Sequence, residues 1–277
     1  MDAALLARRL YHSAAIRRLV YLPSDLALHL RRRRTGRLTP PKGLVAVGPG
    51  DYESIGAEFL DYFVRLGHLA PDDRVLDVGC GVGRMAATLT TFVSSSGAYE
   101  GFDVVPSGIA WCQANITPRH PNFQFKTADI FNKTYNPHGR VRAEDFEFPY
   151  PSDSFDFVFM TSVFTHMMAD AVERYLSETV RVLRRGRRAL ITWFILNQES
   201  KGLIHDGRSR MSFPHARGVL SLMDEKLPEM NVAFEESFVR DAYTRAGMRI
   251  SEPIWWGGWC GRRNPLSFQD VVIGEKL

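Results

Sequence analysis

The sequence predicts an α/β fold in which a mostly parallel sheet is covered by helices on both faces. From residue 74 onward, short apolar runs alternate with segments of helical periodicity, and such alternation builds parallel sheets. The chain has 277 residues, of which 45% are hydrophobic and 24% are charged. This composition is ordinary for a globular protein with a sizeable core, and it excludes a disordered or collagen-like chain. One domain with additions fits the length.

The elements of this fold follow one another along the chain, beginning with a helix at Tyr52–Leu66. The strands are predicted at Val75–Val78, Ala98–Asp103, Asn122–Lys126, Phe155–Thr161 and Ala189–Ile195. The helices between them are predicted near Met85–Phe92, Ser107–Ile116 and Asp170–Leu183. The last predicted elements are helix Ser237–Ala246 and strands Met248–Trp256 and Leu266–Gly274. Because these two strands lie so close in the sequence, we expect an antiparallel hairpin at one edge of the sheet.

The N-terminal residues are predicted to form a basic amphipathic helical extension. Apolar residues recur at near-helical spacing within Leu5–Leu22, with arginines between them. Pro23 is expected to end this helix, and Ser24 or Asp25 could cap a second short helix at Leu26–Leu30.

The charge of the chain is divided between this extension and the rest. Residues 1–42 hold nine arginines and one lysine against Asp2 and Asp25, a net charge of +8, whereas residues 43–277 carry 25 bases and 29 acids. The breaker stretch Thr39–Gly43 marks the boundary between the two parts. The extension could attach peripherally to an anionic membrane, fold over the active site, pack on a partner subunit, or act as an organelle transit peptide. A nucleic-acid partner is not expected, because the positive charge is confined to the extension.

Cysteine usage and apolar run lengths limit the class of protein. Cys80, Cys112 and Cys260 are widely spaced and odd in number, which argues against a disulfide framework and favours a reducing, cytoplasmic compartment. The longest apolar runs, Phe155–Phe164 and Ala189–Leu196, are far shorter than the ~18 residues of a membrane span. No set of His, Asp and Glu residues has the spacing of metal ligands, so no metal site is expected.

The most informative segment is a glycine loop. A short buried strand runs into Gly79, Gly81 and Gly83, which open a helix. Such glycines let a ligand approach the backbone, and a helix start offers N–H groups to an anion such as a carboxylate. The lysine of a phosphate loop is missing, and the third glycine of the dinucleotide fingerprint falls at Arg84. Asp103 ends the next strand, where an acid can accept hydrogen bonds from ribose hydroxyls.

These segments resemble the class I S-adenosylmethionine-dependent methyltransferases over roughly residues 50–277. The matching segments are VLDVGCGVGR (75–84), GFDVV (101–105), TADI (127–130), PYPSDSFDFVFMTSVFTHM (149–167) and YLSETVRVLRRGRRALITWF (175–194). The resemblance implies a Rossmann-like, doubly wound, seven-stranded sheet in the order 3-2-1-4-5-7-6, with strand 7 antiparallel. This order agrees with the expected terminal hairpin.

The resemblance also implies which residues hold the cofactor, S-adenosyl-L-methionine, and its product, S-adenosyl-L-homocysteine. The glycine loop would hold the methionine part, Asp103 the ribose, and Asp129 with Ile130 the adenine, while Asp77 would orient the loop. The implied cofactor contacts are Asp77, Gly79, Cys80, Gly81, Gly83, Asp103, Val104, Asp129, Ile130 and Thr161.

Methyl transfer to a hydroxyl requires a base that takes the hydroxyl proton. His166 is the candidate, because it directly follows the fourth strand, and ligands of open α/β sheets lie beyond the carboxyl ends of strands. A histidine that only caps or packs the following helix is the alternative. His205 and His215 are rival candidates in the polar stretch Asn197–Asn231.

Three further segments are candidates for the acceptor site. Residues 197–234 form a long connection that suggests a lid, and residues 131–148 could form a second wall. The stretch Trp255–Arg263 combines tryptophans, glycines and arginines, which suits stacking on sugars or binding anions.

Absent motifs narrow the reaction. The fourth strand ends in MTSVF rather than the Asp/Asn-Pro-Pro-Tyr of amino-methylating nucleic-acid enzymes, and no Pro-Cys nucleophile is present. Thr165 stands where cyclopropane-forming relatives usually have glutamate. The leading hypothesis is therefore O-methylation of a sugar, glycolipid or secondary metabolite, by an enzyme similar to bacterial members of the superfamily. The alternatives are an RNA methyltransferase that uses the basic extension, or a non-catalytic cofactor-binding scaffold. The oligomeric state stays open.

Overall fold

The computed structural model describes residues 16–17, 19–26, 37–45, 50–133 and 135–277. Within these residues, seven strands form the main sheet. Its strands are β1 (Arg74–Val78), β2 (Ala98–Asp103), β3 (Phe123–Thr127), β4 (Phe155–Met160), β5 (Leu183–Trp193), β10 (Met248–Ile250) and β11 (Asp270–Lys276). The helices from residue 52 onward are α1 (Tyr52–Arg65), α2 (Arg84–Leu89), α3 (Pro106–Asn115), α4 (Ala169–Val182), α5 (Gln198–His205) and α6 (Glu236–Ala246).

The strand order of the main sheet is β10-β11-β5-β4-β1-β2-β3. All neighbours from β5 to β3 pair in parallel, whereas β11 is antiparallel to both β5 and β10. This is the predicted order 3-2-1-4-5-7-6 with an antiparallel strand 7, so the fold prediction is confirmed. The predicted antiparallel hairpin at the sheet edge is confirmed too.

Helices cover both faces of this sheet because its central strands are apolar on both sides. All six residues of β4 are buried. Phe157 and Phe159 pack on the face covered by α1, α2 and α3, whereas Val158 and Met160 pack on the face covered by α4 and α6. Alternate residues of one strand therefore contribute to two separate hydrophobic clusters.

Several predicted boundaries were wrong. The strand predicted at Met248–Trp256 ends at Ile250, since Pro253 lacks the N–H that a strand needs. The final strand begins at Asp270 rather than Leu266, because the preceding residues form turns. β5 begins six residues early, at Leu183, and passes through Gly186 at a φ of 72°.

A small second sheet and a helix lie within the predicted lid segment, residues 197–234, and its flanks. The sheet has the order β6-β9-β8-β7, formed by Ile195–Leu196, Val232–Glu235, Leu220–Leu222 and His215–Arg217. Asn197 caps α5, since its side chain accepts a hydrogen bond from the backbone N–H of Ser200. The lid segment is therefore an ordered layer.

The N-terminal extension differs from its prediction in the part that is described. Residues 16–17 and 19–26 are helical, so Pro23 does not end the helix. Asp25 itself lies in the helix, and its carboxylate accepts hydrogen bonds from the backbone N–H groups of Lys42 (2.6 Å) and Gly43 (3.1 Å), which begin a 3-10 turn. Ser24 donates to the carbonyl of Tyr21. The rest of the predicted helices, in residues 1–15 and 27–30, lies outside the described residues. Among the described residues, no helix is long and apolar enough to cross a membrane.

Candidate cofactor and acceptor site

A cavity of about 1080 Å³ opens at the carboxyl ends of β1, β2 and β4. Ligands of open α/β sheets bind at this edge, beside the point where the strand order reverses. Of the ten residues implied as cofactor contacts, all except Gly83 and Asp129 line the cavity. His166 lines it as well.

Two glycines of the loop have different structural reasons to be glycine. Both adopt the left-handed region, Gly81 at a φ of 57° and Gly83 at 72°. A Cβ on Gly81 would meet nothing within 4 Å, so this residue presents bare backbone to open space in the cavity. A Cβ on Gly83 would lie 2.8 Å from Cys112 Sγ, so Gly83 lets the loop pack on α3.

Asp103 holds the glycine loop from the end of β2. Its Oδ2 accepts a hydrogen bond from the backbone N–H of Gly81, and its Oδ1 accepts one from Val105, both at 2.8 Å. Burial raises the pKa of this carboxyl, and the hydrogen bonds from backbone N–H groups act in the opposite direction. Each oxygen has a second lone pair, so Asp103 can still accept bonds from hydroxyls in the cavity.

Asp77 does not bond to the loop that it was expected to orient. Its Oδ2 accepts a hydrogen bond of 2.6 Å from the hydroxyl of Tyr99, and its Oδ1 has no hydrogen-bond partner among the described residues. Burial raises the pKa of the Asp77 carboxyl to about 8. The contact to the glycine loop is made by Asp103 instead, because the backbone N–H of Gly81 donates to its carboxylate.

Asp129 is placed differently from the expectation that it contacts adenine. It does not line the cavity; its side chain is 42% exposed and forms an ion pair with Arg140, which lowers the pKa of the carboxyl. The cause is a turn that returns the chain so that Val141 pairs with Ile130. Ile130 does line the cavity and is buried.

Tyr135, which the sequence did not single out, also lines the cavity. Burial raises the pKa of its phenol, and the negative charge of Asp103 raises it further.

The cofactor that the resemblance implies fits these residues. S-adenosylmethionine carries an ammonium and a sulfonium, and their positive charge would favour the ionised form of Asp77, whose buried Oδ1 has no hydrogen-bond partner among the described residues. Open space at Gly81 admits a ligand against the backbone, and Asp103 offers acceptors for ribose hydroxyls. The residues that would hold the cofactor are therefore Asp77, the loop at Gly79–Gly81, Asp103 and Ile130.

A network that the sequence did not indicate shapes the turn after β4. Ser162 has a φ of 59°, a conformation that non-glycine residues rarely adopt. Its backbone N–H donates to Thr192 Oγ1 (2.8 Å) and its hydroxyl donates to Gln269 Oε1 (3.0 Å). The Thr192 hydroxyl donates to the same oxygen at 2.7 Å. Ser162 and Gln269 line the cavity, so this strained turn is held at the site itself.

His166 lies in the 3-10 turn that follows and faces the cavity. Its Nδ1 is 3.0 Å from the backbone carbonyl oxygen of Glu229. A carbonyl can only accept, so Nδ1 carries the proton and Nε2 is the basic nitrogen of the neutral ring. The ring also packs edge-on against Tyr135, at 6.0 Å between centroids.

Glu229 is a second titratable group of the cavity, and it comes from the lid segment. Its Oε2 is buried and has no hydrogen-bond partner among the described residues. Burial raises the pKa of its carboxyl, while a hydrogen bond from the backbone of Lys133 and that residue's charge act against the rise. A buried carboxylate oxygen without a partner is costly, and a ligand that donates a hydrogen bond would remove that cost.

The rest of this part of the cavity is mainly apolar. Residues from the lid, from the turn after β4 and from the second wall contribute thioethers and aromatic rings, namely Met167, Met168, Met211, Met230, Phe131, Phe194 and Phe268. Methionine side chains adapt to irregular apolar ligands. The same segments also contribute the charged side chains of Arg142, Glu144, Asp170 and Arg210, so the mainly apolar lining around His166 includes charged groups.

The rival histidines lie elsewhere. Neither His205 nor His215 is among the residues that line the cavity. His205 is at the end of α5, and His215 lies 3.8 Å from Glu225 across the small sheet. In the described part of the chain, no three His, Cys, Asp or Glu side chains form a group that could hold a metal ion.

The tryptophan-rich segment does not form a wall of the cavity. Trp259 is fully buried, and its Nε1 donates to Asp270 Oδ2 at 2.8 Å. Trp256 packs against the guanidinium of Arg262, 5.3 Å from the ring centroid. Trp255 and Trp256 line a separate surface depression. The segment is therefore mainly structural, because Gly257 and Trp259 donate hydrogen bonds to the buried Asp270 at the start of β11.

Comparison with known proteins shows that the chain is similar to methyltransferases. A family described as a methyltransferase domain matches residues 76–191. The chain is 29% identical over 189 residues to 27-O-demethylrifamycin SV methyltransferase of Amycolatopsis mediterranei (strain S699), and the match covers 68% of this chain. It covers 61% of that protein, so the chain spans about three fifths of the length of this relative.

Solved structures share the fold. A protein from Pyrococcus horikoshii OT3 superposes with a TM-score of 0.57 at 12% identity, covering 83% of this chain and 93% of that one. Magnesium protoporphyrin IX methyltransferase from Synechocystis PCC 6803, solved with bound S-adenosylhomocysteine, superposes with a TM-score of 0.51 at 14% identity, covering 94% and 99%. Residues 76–191 thus match a methyltransferase domain, and the chain is similar to methyltransferases in sequence and in fold.

Proposed function

We propose that this chain methylates a hydroxyl oxygen of a largely apolar small molecule of the secondary-metabolite type. The observation that carries the proposal is that one cavity combines the glycine loop and His166 with a lining rich in methionine and phenylalanine. A bare sugar would leave its hydroxyls against apolar side chains, which is unfavourable. The lining therefore favours a secondary metabolite over the sugar and glycolipid acceptors considered from the sequence.

S-adenosylmethionine, when bound, supplies an activated methyl group whose bond to sulfur breaks as the new carbon–oxygen bond forms. The protein's first contribution is alignment, and orientation of this kind can be worth about 7–11 kcal/mol. The second is proton removal. His166 would receive the hydroxyl proton at Nε2, and the Glu229 carbonyl would hold the ring by its Nδ1–H.

Glu229 would recognise the acceptor. Its carboxylate oxygen Oε2 would accept a hydrogen bond from a second polar group on the molecule, so that the reacting hydroxyl faces His166. The apolar residues around it would bind the remainder of the acceptor through burial. An acceptor with two polar groups on an apolar body would satisfy both requirements.

The relative from Amycolatopsis mediterranei supports the same class, since its name states O-methylation of a rifamycin derivative. The test is to incubate the full chain with methyl-labelled S-adenosylmethionine and fractionated extract of its source cells. We expect label in small molecules that partition into organic solvent. Label in the glycan, protein or nucleic-acid fraction, or in none, would contradict the proposal, and the position of the label decides between oxygen and nitrogen.

A further inference from the structure

The N-terminal helix, defined as the helical residues 16–17 and 19–26, turns its polar side toward the rest of the chain. Arg17 is only 5% exposed, and its Nη2 donates to the carbonyl of Lys42 at 3.2 Å. Asp25 accepts the two backbone hydrogen bonds from Lys42 and Gly43. At about 100° per residue, these two side chains and those of the half-buried Tyr21 and Ser24 share one arc of about 100°.

The apolar side of the same helix faces outward. Leu19 is 74% exposed, Val20 66%, Leu22 59% and Leu26 62%. These side chains, with Ile16, occupy the opposite arc of the helix. An ordinary surface helix does the reverse and buries its apolar side. Contiguous exposed apolar side chains mark an interaction surface.

The charge of the sequence around this helix indicates what covers the apolar surface. Residues 1–42 carry a net charge of +8, and the four arginines Arg31–Arg34 begin five residues after Leu26. A second copy of the chain would bring the same positive charge to the contact, which is repulsive. An anionic lipid surface combines an apolar interior with negative headgroups, and it attracts basic segments beside an amphipathic helix.

We propose that the N-terminal helix docks on an anionic lipid surface through Leu19, Val20, Leu22 and Leu26, with the arginines Arg31–Arg34 contacting the headgroups. The helix is tied to the cavity, because the turn that Asp25 holds leads into Leu44 and Val45, which line the cavity. Docking would therefore bring the cavity near the bilayer, from which an apolar acceptor could enter; this last step rests on the proposed function, whereas the docking does not.

The test is vesicle sedimentation of the full chain, with no activity measurement. The variant Leu19→Ser/Leu22→Ser/Leu26→Ser replaces three of the four most exposed apolar side chains of the helix, which are 74%, 59% and 62% exposed. The matched control is Val219→Ser/Leu277→Ser, which changes two exposed apolar residues far along the sequence (41% and 59% exposed). Circular dichroism and thermal unfolding verify that all three proteins fold alike.

We expect the wild type and the control to sediment with vesicles of phosphatidylcholine and phosphatidylglycerol at low salt, and to bind phosphatidylcholine vesicles weakly. The triple variant should lose about tenfold or more of this binding, and added salt should weaken what remains. Absence of wild-type binding to the anionic vesicles, or equal binding of wild type and triple variant, would overturn the proposal. So would a wild-type dimer in light scattering that the triple variant converts to a monomer, because a second copy would then cover the helix.

Discussion

The ring of His166 and the backbone of Glu229 are joined by a hydrogen bond of 3.0 Å between Nδ1 and the carbonyl oxygen. The bond connects the turn after β4 with the lid segment, 63 residues further along the chain. It fixes the proton on Nδ1 and leaves Nε2 as the basic nitrogen. The conformation of the lid and the chemistry of the proposed base are therefore linked by one contact.

His166→Ala should slow methyl transfer without loss of cofactor binding. General base catalysis contributes about 10²–10⁴-fold, so we expect a decrease in kcat of that order. The affinity for S-adenosylmethionine, measured by calorimetry, should stay within about twofold, since no cofactor role is proposed for the ring. His215→Ala, which changes a histidine outside the cavity lining, is the control. Wild-type turnover in the His166 variant would remove the base assignment.

Glu229→Gln should impair recognition of the acceptor more than the chemical step. The substitution keeps the backbone carbonyl that holds His166 but removes a charged hydrogen-bond acceptor, a change worth about 1.5–3 kcal/mol in a buried contact. We expect KM for the acceptor to rise about tenfold or more while kcat falls less. Glu225→Gln, in the same segment but exposed beside Arg217, serves as the matched variant. An unchanged KM in Glu229→Gln would mean that this carboxylate does not contact the acceptor.

The cavity lining near the glycine loop could be predicted from the sequence because its residues lie on short segments at strand ends. The loop that contains Gly81 and the acid Asp103 are fixed by the strands before them, and the sheet brings them together. Asp129 also follows a strand, and the resemblance implied a contact with adenine. Its carboxylate instead accepts a hydrogen bond from Arg140, eleven residues later. A local pattern carries no information about a partner supplied by a later turn.

The cavity lining around His166 could not be predicted, because its residues come from segments that lie far apart in the sequence. Ser162 and Gln269 are 107 residues apart, and neither neighbourhood signals the other. The composition of the tryptophan-rich segment predicts a binding wall, but Trp259 is buried and donates a hydrogen bond to the buried Asp270. Pro23 would stop a helix by propensity alone, and the helix nevertheless continues to Leu26, where Asp25 makes tertiary contacts. At such positions, tertiary contacts rather than local sequence propensity determine the secondary structure.

Asp103→Ala should lower the affinity for S-adenosylmethionine at least tenfold. The change removes the carboxylate that binds the N–H groups of Gly81 and Val105, and with it the acceptors proposed for ribose, each a contact of about 1.5–3 kcal/mol. Asp129→Ala is the matched acid for comparison, and its ion pair with Arg140 is exposed, so cofactor affinity should change little. Calorimetry on both variants distinguishes the two acids. Equal losses of affinity would contradict the assignment of Asp103 and restore that of Asp129.

The stability of the cofactor-free protein should depend on pH through Asp77. Burial raises the pKa of this carboxyl from 3.8 to about 8, so the folded state binds the proton more tightly than the unfolded state. The resulting stabilisation is complete below pH 3.8 and is lost as the pH rises through about 8. The side chain in Asp77→Asn cannot titrate. The Tm of this variant should therefore fall less than that of the wild type between pH 5 and pH 9.

Asp129→Asn is the control for this pH dependence, because the carboxyl of Asp129 is exposed and its pKa is lowered by Arg140. Its melting curve should follow that of the wild type across the same pH range. If wild type and Asp77→Asn show the same pH profile, Asp77 is ionised in the folded protein throughout and the proposed neutral, buried state is incorrect.

Gly81→Ala should lose both stability and cofactor binding, whereas Gly186→Ala should lose stability alone. Both glycines have a positive φ, 57° and 72°, and a Cβ on either would meet nothing within 4 Å. The strain of an alanine in the left-handed region costs about 1–2 kcal/mol at either position. Only Gly81 lines the cavity, so only there does the methyl group occupy space assigned to the cofactor. Thermal unfolding should therefore report similar losses of stability for the two variants. Calorimetry should report weaker S-adenosylmethionine binding for Gly81→Ala alone. Unchanged binding in that variant would show that the cofactor does not approach the loop at this residue.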